Sequence, residues 1–243
     1  MIPWLAEHDP DYQFPALESA LTEPDGLLAA GGDLTPGRLL AAYSAGIFPW
    51  FGKDDPIMWW SPDPRLVLYP KSVHRPRRLA RSIRQDRFRF SLDRDFEQVI
   101  KACAAPRANQ PGTWITDGMK HAYQELHALG HAHSLEVHEH GELVGGIYGI
   151  AIGRVFFGES MFHTRSDASK VALIWLCELL AYNEFGLLDC QVASAHLLHM
   201  GAKTVPRSQF LGEIDAFCTQ SSTIDDWQSP RLPVELARYF LQD

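Results

Sequence analysis

Five consecutive segments between His133 and Val192 leave this chain little choice of topology. HSLEV (His133 to Val137), ELVGGIYGI (Glu142 to Ile150) and the apolar stretch from Val155 into GESMF are joined by turns of a few residues, EHG being the first. Strands joined so closely must pair antiparallel, because a parallel return needs a dozen or more residues of crossover. The next segment, Ser169 to Phe185 with Gly186 behind it, is too long and too evenly apolar for a strand and reads as a buried helix with a glycine stop. LLDCQV (Leu187 to Val192) then returns as a strand. Meander, helix and strand imply an α+β fold, with a mixed, mainly antiparallel sheet flanked by helices.

Upstream, Thr35-Pro36 opens a helix through Leu39, Leu40 and Tyr43 that stops at Gly46, and GLLAAGGDL before it reads as a tight backbone turn. Phe48, Trp50, Phe51, Trp59 and Trp60 crowd into a short span, either as a small core or as a surface on which bases stack. Prolines 62, 64 and 70 mark a boundary, so residues 1–64 are expected to form a small N-terminal module and 65–243 the main domain. Asp93 is expected to start a helix ending before Pro106, Met119 to Leu129 has helical spacing, and Val234 to Leu241 reads as a final amphipathic helix.

Two places carry chemistry. Within Gly153 to Lys170, Glu159 is a carboxylate set between Phe157 and Phe162 just ahead of a helix start, which is either a strand end facing water or part of a site. In LLDCQV, alternation places Leu188, Cys190 and Val192 on one face and Asp189 with Gln191 on the other, an acid and an amide side by side.

Composition removes several classes. No run of 18 apolar residues offers a membrane span, the N-terminal residues lack a signal-peptide pattern, and the four cysteines are dispersed without a CxxC pair. A reduced, cytoplasmic setting is expected. The net charge of −8 hides a window, Lys71 to Arg89, that carries eight basic residues and one acid. Arg77, Arg81 and Arg84 fall at i, i+4 and i+7, one cationic stripe if helical, suited to phosphates. Six histidines lie between His121 and His140, but on elements that do not converge, so no metal is expected. GxGxxG, Walker A, HExxH and GxSxG sequences are absent.

Taken together, GLLAAGGDL, GIFPWF, WWSPDPR, GTWIT, LVGGIYG, GESMF with ASK, and LLDCQ resemble the leucyl/phenylalanyl-tRNA–protein transferase family, from about Gly26 to Phe210. The resemblance implies a main domain with a GNAT-like acyltransferase fold. It implies transfer of Leu or Phe, sometimes Met, from aminoacyl-tRNA to proteins with N-terminal Arg or Lys, marking them for the N-degron pathway. An aminoacyl ester is already activated, so neither cofactor nor metal is expected, and the partners are the aminoacyl-tRNA and the acceptor protein, with a monomeric enzyme. By resemblance Asp189 and Gln191 hold and deprotonate the incoming amine, and Glu159 faces the acceptor's basic residue. Trp50 and Trp114 match positions that stack on the 3′-terminal adenosine, with Tyr123 beside them. Ile147, Phe156, Leu173, Leu176 and Leu188 match an apolar cup for the aminoacyl side chain, and Arg77, Arg81 and Arg84 would meet acceptor-stem phosphates. Two alternatives remain at this level. An acetyl-CoA-dependent N-acetyltransferase needs an Arg/Gln-x-x-Gly-x-Gly/Ala loop, of which HALGHA (His127 to Ala132) lacks the first residue. A non-catalytic tRNA-binding protein leaves Asp189 and Gln191 without a purpose.

Overall fold

The computed structural model describes residues 2–106 and 113–241. In chain order the strands and helices are β1 (Trp4–Leu5), β2 (Leu27–Gly31), α1 (Pro36–Ser44), β3 (Phe48–Pro49), β4 (Met58–Trp60), β5 (Arg65–Leu68), α2 (Arg77–Arg84), β6 (Arg89–Leu92), α3 (Phe96–Ala104), α4 (Asp117–Ala128), β7 (Ala132–Glu139), β8 (Glu142–Ile152), β9 (Val155–His163), α5 (Ala168–Tyr182), β10 (Leu187–Gln191), α6 (Ala195–His199), β11 (Lys203–Val205), α7 (Arg207–Cys218) and α8 (Val234–Ala237). A seven-stranded sheet runs β11-β5-β10-β9-β8-β7-β6, and a smaller one runs β1-β2-β4-β3 within the first 60 residues. Among the described strands only β1-β2 and β9-β10 pair parallel, with an isolated parallel bridge from Phe90 to Phe240, so the expected mixed, mainly antiparallel α+β sheet is present.

Each face of the large sheet carries its own core. Leu66, Leu68, Leu135, Val137, Ile147 and Phe156 face α5, whose buried residues run almost all round it, as a helix sandwiched between sheet and outer elements requires. The opposite face, with Val67, Tyr148, Phe157 and Leu187, packs with Val99 and Ile100 of α3, Met119 and Tyr123 of α4, and Tyr43 of α1. Leu28, Leu39 and Trp59 from the first 60 residues join that same cluster. No described helix is long and apolar enough to cross a membrane.

Several local expectations are corrected. The turn expected at the glycine pair falls at Gly31 and Gly32, both at positive φ, but Leu27 to Gly31 ahead of it forms a strand that the sequence reading does not name. Asp93 does not begin α3, since it stands at φ 55 with its carboxylate on Ser134 N–H and His133 while Asp95 precedes the helix. The last helix is four residues, not eight. β5 is a strand that the sequence does not announce, because RLVL sits between prolines. Gly112 of GTWIT lies outside the described residues.

Candidate active site

The sheet opens where β9 and β10 part. Their parallel pairing covers only Leu187 to Asp189 against Val155 to Phe157. Beyond it β9 continues to His163, whereas β10 ends at Gln191, which takes φ 62. A cleft of about 400 Å³ fills the gap, walled by Gly158, Glu159 and Met161 on one side and Asp189, Cys190 and Gln191 on the other, with Trp114, Leu173 and His196 among the rest.

Two one-residue irregularities aim the polar groups. In β9, Tyr148 pairs with Ser160 and Gly149 with Gly158, so Glu159 is the extra residue of a bulge. In β10, Asp189 pairs with Val67 and Gln191 with Leu66, leaving Cys190 extra. Strict alternation therefore fails at Cys190, and the side chains of Asp189 and Gln191 go to different partners.

Glu159 sits at the centre of a hydrogen-bond cluster. Oε1 accepts from Tyr43 Oη at 2.6 Å and from Gln191 Nε2 at 2.9 Å, and Oε2 accepts from Tyr123 Oη at 2.7 Å. The two phenol oxygens are themselves 2.5 Å apart. While the carboxylate is ionised, two phenol protons serve three close oxygen pairs; protonation supplies the third. Burial raises the Glu159 carboxyl to about 7, against the lowering by its three donors. Burial, then the charge of Glu159, holds Tyr43 and Tyr123 well above the usual phenol range, so both remain donors.

Asp189 is fully buried and engaged elsewhere. Arg65 donates to it through Nε at 2.8 Å and Nη2 at 2.7 Å, and Oδ1 also accepts the Gln191 backbone N–H at 2.9 Å. Arg65, equally buried, lies between the rings of Phe48 and Phe210 and caps the Gly46 carbonyl. The pair thus fixes Gln191, whose Nε2 reaches Glu159 and whose Oε1 has no partner among the described residues. Asp189, expected at the amine, lines the cleft with its oxygens taken up by a guanidinium and a backbone N–H.

The other expected residues divide. Ile147, Leu173, Leu188 and Trp114 line the cleft, as do Met161 and Leu197, which sequence reading does not single out. Phe156 and Leu176 do not: both are closed in the core behind it. Tyr123 is no stacking surface beside the tryptophans, since it is wholly buried and bonded to Glu159. Trp50 is 43% exposed outside the cleft, against Trp60, whose Nε1 bonds the Trp50 carbonyl. Arg77, Arg81 and Arg84 are exposed on α2 and have no ion pair among the described residues. Arg78 and Arg81, with Arg87 and Ser166, frame a notch at the start of α5. Tyr43 and Arg65 lie beyond the reach of sequence reasoning. One reads as core in an amphipathic helix, and the other is 124 residues from its partner.

Of the histidines of the 121–140 region, His127, His133 and His138 serve packing, while His121 and His140 are exposed. His133 bridges Asp93 and the Gly130 carbonyl and stacks on Trp227, His127 stacks on Phe96, and His138 meets Ser91. The described residues contain no group of three or more ligand-type side chains arranged for a metal.

Comparison with known proteins decides the family. The model of the leucyl/phenylalanyl-tRNA protein transferase family matches residues 67–215, and that of its N-terminal domain matches 32–63. The chain belongs to the leucyl/phenylalanyl-tRNA–protein transferase family. It is 57% identical to the leucyl/phenylalanyl-tRNA–protein transferase of Alkalilimnicola ehrlichii over 212 residues, 87% of this chain and 82% of that one. The corresponding protein of Aromatoleum aromaticum is 52% identical over 240 residues, covering 99% and 100%. Membership makes the chain an aminoacyltransferase, with aminoacyl-tRNA and protein as its substrates. Among solved structures, a GCN5-related N-acetyltransferase from Kribbella flavida aligns over 70% of this chain and 60% of its own at 11% identity and a TM-score of 0.34, a likeness too slight to build on.

Proposed function

We propose that the enzyme moves Leu or Phe, and Met with them, from aminoacyl-tRNA to proteins whose N-terminal residue is Arg or Lys. The observation that carries this reading is Glu159: a carboxylate at the wall of a cleft whose other end is apolar, with one acceptor position of Oε2 left unfilled by its donors. The aminoacyl side chain occupies the apolar part, between Ile147, Met161, Leu173 and Leu188. Such a pocket separates substrates differing by a methylene by only about 1–3 kcal/mol, so Leu, Phe and Met are all admitted. Glu159 takes the acceptor's cationic side chain. Gln191, held by Asp189 and by Glu159, turns its free Oε1 to the acceptor's α-amine and sets it against the ester carbonyl. Asp189 is then a positioning residue that acts through Gln191. Trp114 and Trp50 offer faces for the terminal adenine, and the exposed α2 arginines meet acceptor-stem phosphates. Acceptors so marked would enter degradation through their new N-terminal residue, in the cytoplasm.

Purified protein should pass labelled leucine from Leu-tRNA to an Arg-initiated peptide and leave a Leu- or Asp-initiated peptide unmodified. Transfer without regard to the acceptor's first residue would remove the specificity part of the reading. No transfer beside intact tRNA binding would leave the non-catalytic alternative.

Three exposed arginines without acidic partners should act through counterion release. Replacing Arg77, Arg81 and Arg84 together by Ala should lower the slope of log K against log salt by about 2–3, at about 0.7–0.9 for each phosphate no longer neutralised. A filter-binding salt titration measures this, and an unchanged slope returns α2 to the solvated surface.

A further inference from the structure

The cleft holds four titratable side chains: Glu159, Asp189, Cys190 and His196. Three of them are committed. Both oxygens of Asp189 are engaged by Arg65 and a backbone N–H. Glu159 is bound by two phenols and an amide, and its remaining acceptor position is the place for the acceptor's cation. Burial pushes the Cys190 thiol well above its ordinary range, and its Sγ lies on the Leu188 carbonyl, so it stays a thiol. Ser194, at the same wall, spends its Oγ capping α6 on Leu197 N–H.

His196 differs from these. It is half-buried in the cleft lining, and its ring has no hydrogen-bond partner among the described residues. Its surroundings favour the neutral ring: burial, then Lys170 of α5, His163 of β9 and His199 of its own helix, lower its pKa from the ordinary histidine value. The carboxylates across the cleft, Glu159 and Asp189, are not among its electrostatic partners. A neutral imidazole carries one N–H and one free lone pair, so a single ring can both accept and donate a proton.

We infer that His196 is a catalytic residue that carries the proton from the attacking amine to the departing ribose oxygen of the aminoacyl ester. The inference rests on the proposed transferase function. The free amine forms the N–C bond at the ester carbonyl, and the lone pair of the imidazole takes one proton from that nitrogen. When the intermediate collapses, the C–O bond breaks, the ribose oxygen leaves with the electron pair, and the imidazolium returns the proton to it. Amide and free tRNA hydroxyl result, the histidine ends neutral, and no further reactant is consumed.

Single-turnover transfer, with enzyme in excess over Leu-tRNA and an Arg-initiated peptide present, tests this. His196→Ala should slow transfer about 100-fold, within the usual range for removal of a general acid–base group, while tRNA affinity changes less than about threefold. Added imidazole should recover at least about tenfold of that loss, more strongly as pH rises from 6 to 8 and the neutral form accumulates. His196→Gln, whose amide fills the same space, should be slow and not rescued. A merely structural histidine would lose rate without responding to imidazole. Transfer by His196→Ala within threefold of wild type, or a loss indifferent to imidazole, overturns the inference. Absence of transfer by the wild-type enzyme in the same assay overturns the transferase reading itself and this step with it.

Discussion

Arg65→Met should cost about 3–5 kcal/mol of stability, read as a fall in the urea midpoint at unchanged m. The side chain that replaces arginine fits the space between Phe48 and Phe210, so packing is not what is lost. What is lost is the partner of a carboxylate with no exposure to solvent. An ion pair at this depth repays its own desolvation poorly, but removing one member leaves the other charge stranded. Against a total stability of about 5–15 kcal/mol, that is enough to bring the protein near its unfolding threshold. Exchanging both members, Arg65→Met with Asp189→Leu, should recover most of the stability. It should not recover transfer, because Gln191 then loses the Oδ1 that holds its N–H at φ 62. A double variant that regains both stability and activity would show that the tether has no bearing on the site. An Arg65→Met variant within about 1 kcal/mol of wild type would show that the pair is not isolated from solvent as its geometry requires.

The same residues show what the sequence can and cannot reveal. The meander is legible because alternation and short turns act within ten residues of each other, and α5 because its apolar run exceeds any strand. Glu159 and Gln191 are legible as residues out of keeping with their neighbours, whereas Trp114, Ile147, Leu173 and Leu188 of the cleft wall are reached only through the family resemblance. The two bulges are not, since one extra residue in a strand leaves no mark on composition and yet re-aims every side chain after it. Phe156 and Leu176 pass for cup residues because an apolar residue facing a cleft and one facing the core have the same chemistry. Arg65 and Tyr43 stay hidden for another reason: their partners, Asp189 and Glu159, lie more than a hundred residues away. Pairing at that distance is set by the sheet order, which local patterns do not contain.

Glu159→Gln should lower kcat/KM for an Arg-initiated peptide by about 30-fold or more and remove its advantage over a neutral-initiated one. The expected loss follows from truncating one member of a desolvated charge pair, about 2–5 kcal/mol. The pH dependence separates this role from a structural one. Only the ionised carboxylate attracts the cation, and the free enzyme's group titrates at about 7. The competent fraction therefore rises from roughly a tenth at pH 6 to roughly nine-tenths at pH 8, and apparent affinity for the basic acceptor rises with it by about tenfold. The acceptor's own α-amine also loses its proton over this range, with an ordinary pKa of about 8. Dividing the wild-type profile by that of Glu159→Gln cancels the amine's contribution, because it is common to both. The quotient should climb with pH and level off above about 7. Stability must follow the opposite sign: a carboxyl raised in the folded state stabilises fully below its unfolded pKa, and that contribution is lost as pH rises through 7. The native enzyme thus gives up this contribution to stability as pH rises from the ordinary carboxyl value to about 7 and gains acceptor binding around 7. Glu159→Gln should lose the binding slope and its own share of the stability slope, the rest staying with buried Glu136, which is likewise raised to about 7. A flat quotient, or equal losses for basic and neutral acceptors, would assign Glu159 to holding Tyr43 and Tyr123 in place instead of reading the acceptor.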